Sequence, residues 1–214
     1  MPTEAKPVDV AKNPPAELAL RIDAKMAQTL PAGEVKAHPA AADFPGSVSQ
    51  GAARVTRTLT VDGSWAGLDP HYAYSGPGDP VWRATGLYAA PGEVVTVSLG
   101  PKFAGQGLDL LIGGHTDVLW GTTTAYTRHP AITRAWPLEK PTTQAACAFG
   151  GPIYLRVAKG VQLGPVTLTI AGGVEMGRWI AGQTSAADWQ LERQKPAPWV
   201  EIGSDRLVLT LPRT

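Results

Sequence analysis

The chain has 214 residues and a formal net charge of +1, from 19 basic and 18 acidic side chains. That balance excludes the strongly basic face of a nucleic-acid binder and a polybasic membrane anchor. Its 24 glycines and 20 prolines fill about a fifth of the positions, against 43% hydrophobic residues, which argues against both a helical bundle and wholesale disorder. No apolar run approaches the roughly 18 residues that cross a bilayer. The first residues lack the basic and then apolar layout of an export signal, and the single cysteine, Cys147, can form no intrachain disulfide.

Near the N-terminus, Pro14 and Pro15 open a helix in which Leu18, Ile22, Met26 and Leu30 recur at close to helical spacing, with Arg21, Asp23 and Lys25 off that stripe. Pro31 and Gly33 end it, and the stripe is expected to dock on the main body. The segment 38–51, with Pro39, Pro45 and Gly46, reads as an extended linker, so that residues 1–50 form an N-terminal arm. From 51 to 214 the chain reads as one β-sandwich domain, built of short β-rich runs separated by Gly and Pro. These runs are 54–61, 93–99, 108–112, 131–136, 153–157, 166–170 and 206–211. The stretch 85–88 leads into the turn Pro91-Gly92 and reads as one arm of a hairpin with the strand 93–99, with Trp82 and Tyr88 packing. No run is followed by a long helical pattern, so parallel βαβ units are not expected. The expected fold is all-β, an antiparallel sandwich of jelly-roll type with a short N-terminal helix and an extended arm.

Chemistry is sparse. The histidines are His38, His71, His115 and His129, and none begins a His-Glu-x-x-His zinc motif. A Gly-x-Ser-x-Gly elbow, a P-loop and a complete Gly-x-Gly-x-x-Gly are missing as well. Cys147 lies among Ala145, Ala146, Ala148 and Phe149 and reads as a buried thiol. In Gly113-Gly114-His115-Thr116-Asp117, the His and Asp are two apart and on one face of a strand. They could supply half of a metal site, with His129 or a distant acid as third ligand, or an enzyme's oriented histidine. The alternative is that both tie down the following loop through backbone hydrogen bonds. Trp65, His71, Tyr72, Tyr74 and Trp82 lie in a Gly/Pro-punctuated stretch. Aromatic rings on rigid loops stack on sugars or partner side chains, which makes Trp65, Tyr72, Tyr74 and Trp82 candidates for a glycan or partner contact. The alternative is that the tryptophans cap the ends of the sandwich.

Four segments in order carry a resemblance. The stretch from Trp82 through Thr85, Gly86, Leu87, Tyr88 and Ala89 to Gly92 and Glu93 resembles a motif of the enhancin-like, mucin-degrading zinc metallopeptidases, the peptidase-M-sixty family. Ile112-Gly113-Gly114-His115-Thr116-Asp117, Gly150-Gly151-Pro152-Ile153-Tyr154 and Ala197-Pro198-Trp199-Val200-Glu201 are similar to three further motifs of that family. The resemblance covers roughly residues 45–214. It implies the β-rich accessory domain that precedes the catalytic domain in that family, and it marks Thr85, Gly86, Tyr88, His115, Asp117, Trp199 and Glu201 as family-motif positions of structural role. No zinc ligand or general-base glutamate has a matching position, because the chain stops about where the catalytic domain would begin. The chain by itself is therefore expected to be non-catalytic, with no cofactor of its own and zinc in the catalytic domain. The resemblance further implies a bacterial protein, secreted or at the cell surface. Its partners would be the catalytic domain of the same polypeptide and O-glycans of mucin-like proteins, without nucleic acid or a membrane span. An independent carbohydrate-binding sandwich is the alternative function.

Overall fold

The computed structural model describes residues 1–214 except 69–75, 77, 115, 205, 206 and 214. In chain order the elements are β1 (Val8–Asp9), α1 (Pro14–Thr29), β2 (Val55–Ser64), β3 (Val81–Ala89), β4 (Val95–Leu99), β5 (Leu108–Ile112), β6 (Ala125–Tyr126), β7 (Arg134–Pro137), β8 (Thr142–Ala145), β9 (Gly151–Val157), β10 (Gln162–Glu175), β11 (Gly177–Ile180), α2 (Ala186–Glu192), β12 (Trp199–Gly203) and β13 (Val208–Pro212).

One sheet has the order β2-β10-β4-β8 and the other β7-β5-β9-β3, all antiparallel. Strand β10 belongs to both. Its residues up to Gly173 pair with β2, and its last two, Val174 and Glu175, pair with Tyr88 and Leu87 of β3, after a register shift between Ala171 and Gly173. A bulge at a double glycine lets one long strand turn the corner between layers. Alternation fills the space between the sheets: Val95, Val97 and Leu99 of β4 face inward while Thr96 and Ser98 face out. Leu110, Ile112, Ile153, Leu155, Leu168 and Ile170 complete a fully buried layer. The all-β antiparallel sandwich read from the sequence is thus present, with β1, β6, β8, β11 and β12 as strands that the sequence reading lacks.

Four expectations require correction. First, β3 and β4 form no hairpin: β3 pairs with β9 and β10, and β4 pairs with β8 and β10. The Pro91-Gly92 turn carries the chain from one sheet to the other, and the Gly92 amide donates to the Cys147 carbonyl at 2.9 Å. Second, the segment 38–51 is not a plain extended linker. Pro39–Ala42 is a 3-10 helix capped by His38, and Ala32, Val35, Ala40 and Ala41 are buried in the main core. Apolar side chains that small leave no periodic signal.

Third, the docked face of α1 is not the predicted stripe. Leu18, Ile22 and Met26 are 62%, 53% and 51% exposed, whereas Leu20 and Ala24 are buried. Ala27 and Leu30 pack against the main core and Leu20 joins Val10 and Tyr126 in a smaller cluster. At about 100° per residue, 18, 22, 26 and 30 span about 120° and 20, 23, 24 and 27 about 100° on the neighbouring side, so spacing alone offers two faces and the tertiary structure docks the second. Fourth, β11 and β12 are parallel, joined through α2, and β13 adds to β12 antiparallel. Helix α2 has seven residues, none buried, and is held by the Ser185–Asp188 capping box, so it leaves no apolar helical pattern in the sequence. Among the described residues, no helix is long and apolar enough to cross a membrane.

Candidate functional site

Three of the family-like motifs meet at one end of the β5-β9-β3 layer, and the fourth packs on Tyr88 beside it. Gly151 opens β9 at φ +135°, and a Cβ there would lie 2.6 Å from the Gly113 Cα. The Gly113 amide donates to the Pro152 carbonyl at 2.9 Å. The two motifs therefore touch backbone to backbone, an approach that only glycine allows. Thr85 is buried, with its hydroxyl donating to the Ile153 carbonyl at 2.6 Å and accepting from the Leu87 amide at 3.2 Å. Beside it, the Gly86 carbonyl accepts from the Met176 amide at 3.0 Å and from Arg57 Nη1 at 3.2 Å.

Tyr88 is fully buried, packs with Met176 and Ala197, and donates its hydroxyl to the Gly46 carbonyl at 3.1 Å; burial pushes its phenol well above the ordinary range. Trp199 packs on the same cluster, donates Nε1 to the Pro45 carbonyl at 2.5 Å and meets Phe44 edge-on. Glu201 is 2% exposed, with its Oε2 at 3.0 Å from Arg178 Nε. Its burial raises the carboxyl above the usual range, against the pull of Arg178 and Tyr154. Asp117 is exposed and accepts from Arg128 Nη2 at 2.9 Å. His115 lies outside the described residues.

Of the aromatic candidates, Tyr72 and Tyr74, like His71, lie outside the described residues. Trp65 is half-buried, packs against the main core and donates Nε1 to the Asp79 carbonyl at 3.0 Å. Trp82, also half-buried, lies tilted against the Tyr154 ring at 5.3 Å. Cys147 is buried, as read from the sequence, and its thiol is pushed up to about 11 by burial.

A cluster that the sequence reading did not assemble lies under α1. Asp23, His38 and His129 each present one ligand-type atom, and these atoms all lie within 4.8 Å of one another. Asp23 Oδ2 is 2.9 Å from His38 Nε2 and 3.3 Å from His129 Nε2. Both imidazoles are buried and pack on Phe149, at ring separations of 4.3 and 4.9 Å. Burial holds both below the ordinary histidine range. His129, a possible third ligand for His115 and Asp117 from the sequence, is directed instead at Asp23, which the sequence places off the apolar stripe of the helix. Nothing in sequence spacing joins these three, and the only available signal was the presence of an acid on the 20-23-24-27 face. Beside the cluster, a cleft of about 740 Å³ is lined by Pro2, Ala40, Phe44, Leu119, Arg128 and His129 among others.

A family model described as the N-terminal domain of M60-like peptidases matches residues 51–171. Among curated proteins, the chain is 38% identical over 134 residues to human TRPM8 channel-associated factor 2, covering 62% of this chain and 14% of that protein. It is 31% identical over 137 residues to the Xenopus laevis TRPM8 channel-associated factor homolog, covering 64% and 15%. The chain thus spans about a seventh of the length of these relatives. Among solved structures, the ZmpB metallopeptidase from Clostridium perfringens superposes with a TM-score of 0.55 at 12% identity, over 73% of this chain and 34% of that one. The IMPa metallopeptidase from Pseudomonas aeruginosa does so with 0.53 at 18% identity, over 78% and 18%. At these identities the likeness is one of fold.

Proposed function

From the premise that this chain belongs to the family of N-terminal domains of M60-like peptidases, we propose that it is a non-catalytic accessory domain that supports the zinc-dependent catalytic domain of a longer polypeptide. The observation that carries this reading is how the family-like motifs are used. Thr85, Gly113 and Gly151 are committed to contacts that join β3, β5 and β9 within one sheet, and Tyr88 and Trp199 to hydrogen bonds that hold the N-terminal segment at Pro45 and Gly46. A sandwich of the same fold recurs in proteins titled metallopeptidases, while the relatives of similar sequence are named for an association with a channel. A role common to both sets is support and contact rather than bond cleavage. The third sheet offers the surface for it: Leu207, Val208, Leu209 and Leu211 on and beside β13 are 60%, 44%, 47% and 40% exposed, an apolar edge suited to a neighbouring domain.

The substrate class in this reading is O-glycosylated, mucin-like protein, met outside the cell after export. Trp65, Tyr72, Tyr74 and Trp82 are the residues assigned to any glycan contact, although the packing of Trp65 and Trp82 favours the structural alternative for those two. The test incubates the isolated chain with zinc and an O-glycosylated mucin. The expected outcome is no proteolysis, and cleavage that survives repurification would overturn the accessory reading. A glycan array on the folded chain separates the second function: binding lost in Trp82→Ala would favour an independent carbohydrate-binding module.

A further inference from the structure

The Asp23, His38 and His129 cluster has a property that core packing does not require. His129 is 1% exposed, and its Nε2 has no hydrogen-bond partner. Its Nδ1 lies 2.8 Å from the Ala131 carbonyl oxygen and 3.2 Å from the Ala131 amide nitrogen; the nearer contact, to the carbonyl, is satisfied when the ring proton sits on Nδ1. The bare Nε2 lone pair is then directed at Asp23 Oδ2, at 3.3 Å. In that tautomer two acceptors face each other at the edge of the core, an arrangement that a metal ion between them would satisfy. A histidine whose outer nitrogen donates to a backbone carbonyl has the tautomer that binds metal through the inner one.

We propose that Asp23 Oδ2, His38 Nε2 and His129 Nε2 form a binding site for a divalent transition metal of the zinc type. In a tetrahedral site with bonds of about 2.1 Å, ligand atoms sit about 3.4 Å apart; the two Asp23–His separations, 2.9 and 3.3 Å, are close to that, and all three atoms lie within 4.8 Å of one another, so the two imidazoles draw together on coordination. Two imidazoles and one carboxylate favour Zn²⁺, Co²⁺ or Ni²⁺ over Mg²⁺ or Ca²⁺. The fourth position is filled by water from the cleft that Ala40 and His129 line. The neighbouring Arg128 guanidinium does not oppose the ion with an unbalanced charge, because it pairs with Asp117 and donates to the His129 carbonyl.

Metal binding makes a specific demand on His38. Its Nδ1 accepts from the Ala40 amide at 3.1 Å, so without metal its proton sits on Nε2 and is donated to Asp23. Coordination through Nε2 moves that proton to Nδ1 by exchange with water, with no net release, and breaks the Ala40 bond. The ligands come from α1, from the residue preceding the 3-10 turn and from the stretch before β7, so the metal clamps the N-terminal segment onto the sandwich.

The experiment strips the purified chain with EDTA, titrates ZnCl₂ by calorimetry with elemental analysis, and records the Co²⁺ absorption spectrum. The expected result is one zinc per chain and a tetrahedral Co²⁺ spectrum. Affinity should fall at least about 100-fold in His129→Ala, since loss of even an outer partner of a metal ligand costs 10- to 100-fold. Asp23→Asn, at a half-exposed helix position and isosteric, keeps the test meaningful if His129→Ala fails to fold, and should weaken zinc at least about 10-fold. In ¹⁵N spectra zinc should shift His38 from the Nε2–H to the Nδ1–H tautomer. Absence of zinc uptake by the folded wild-type chain, or uptake unchanged in Asp23→Asn, would overturn the assignment.

Discussion

Gly151→Ala tests the reading of the family-like motifs as architecture. The new Cβ would lie 2.6 Å from the Gly113 Cα and 2.8 Å from its nitrogen, on a backbone held at φ +135°. Both obstacles are backbone, so neither can swing aside. Forcing an L-residue into such a conformation costs about 1–3 kcal/mol, and opening the crossing by the best part of an ångström adds an overpacking cost of about 1–3 kcal/mol. A loss of about 2–6 kcal/mol is expected, which at about 3 °C per kcal/mol lowers Tm by about 6–18 °C for a chain of this size. Gly114→Ala is the matched control: its Cβ meets nothing within 4 Å, and it should stay within about 0.5 kcal/mol. Urea titrations monitored by tryptophan fluorescence measure both. A Gly151→Ala loss below about 1 kcal/mol, or equal losses in the two variants, would refute the argument that this motif exists to let two backbones touch.

The corrected helix face predicts that Leu20→Ala, at a site 4% exposed, costs about 2–4 kcal/mol, whereas Ile22→Ala, 53% exposed, stays within about 0.5 kcal/mol; thermal melts of the two distinguish the docked face from the stripe that sequence periodicity selects. For Cys147, the thiol pKa raised by burial to about 11 means that the folded chain holds this proton more tightly than the unfolded one. Its contribution is therefore fully present below the ordinary thiol pKa of about 9 and is lost as pH rises through 11, by about 2–3 kcal/mol in all. Urea midpoints should fall over that window in the wild type and less in Cys147→Ala, and a disulfide reagent at pH 8 should label the native thiol slowly and the unfolded one at once.

The strands were legible wherever a local rule acts alone. In β4, alternation of Val95, Val97 and Leu99 with Thr96 and Ser98 requires one face in and one out, whatever lies opposite. The same rule found the middle of β10, and the run 108–112, which is apolar without alternating, matches β5 in full. Pairing was not legible, because the same Pro91-Gly92 turn that can close a hairpin can also carry the chain across a corner. The choice was made by β8, β9 and β10, which compete for the edges of β3 and β4. Small buried residues such as Ala32, Ala40 and Ala41 contribute to the core without a pattern that a periodicity search can see.

By itself, then, the sequence determined an all-β sandwich, the buried thiol at Cys147 and the ordered motifs that mark the family, since each rests on residue type and near-neighbour spacing. Only the tertiary structure decided which face of α1 docks, where each motif glycine is needed, and that Asp23, His38 and His129 converge. The physical reason is that burial and ligation depend on what the rest of the chain places opposite. An aspartate that periodicity places off the apolar stripe becomes an inward group once two buried imidazoles occupy the wall against which its helix lies.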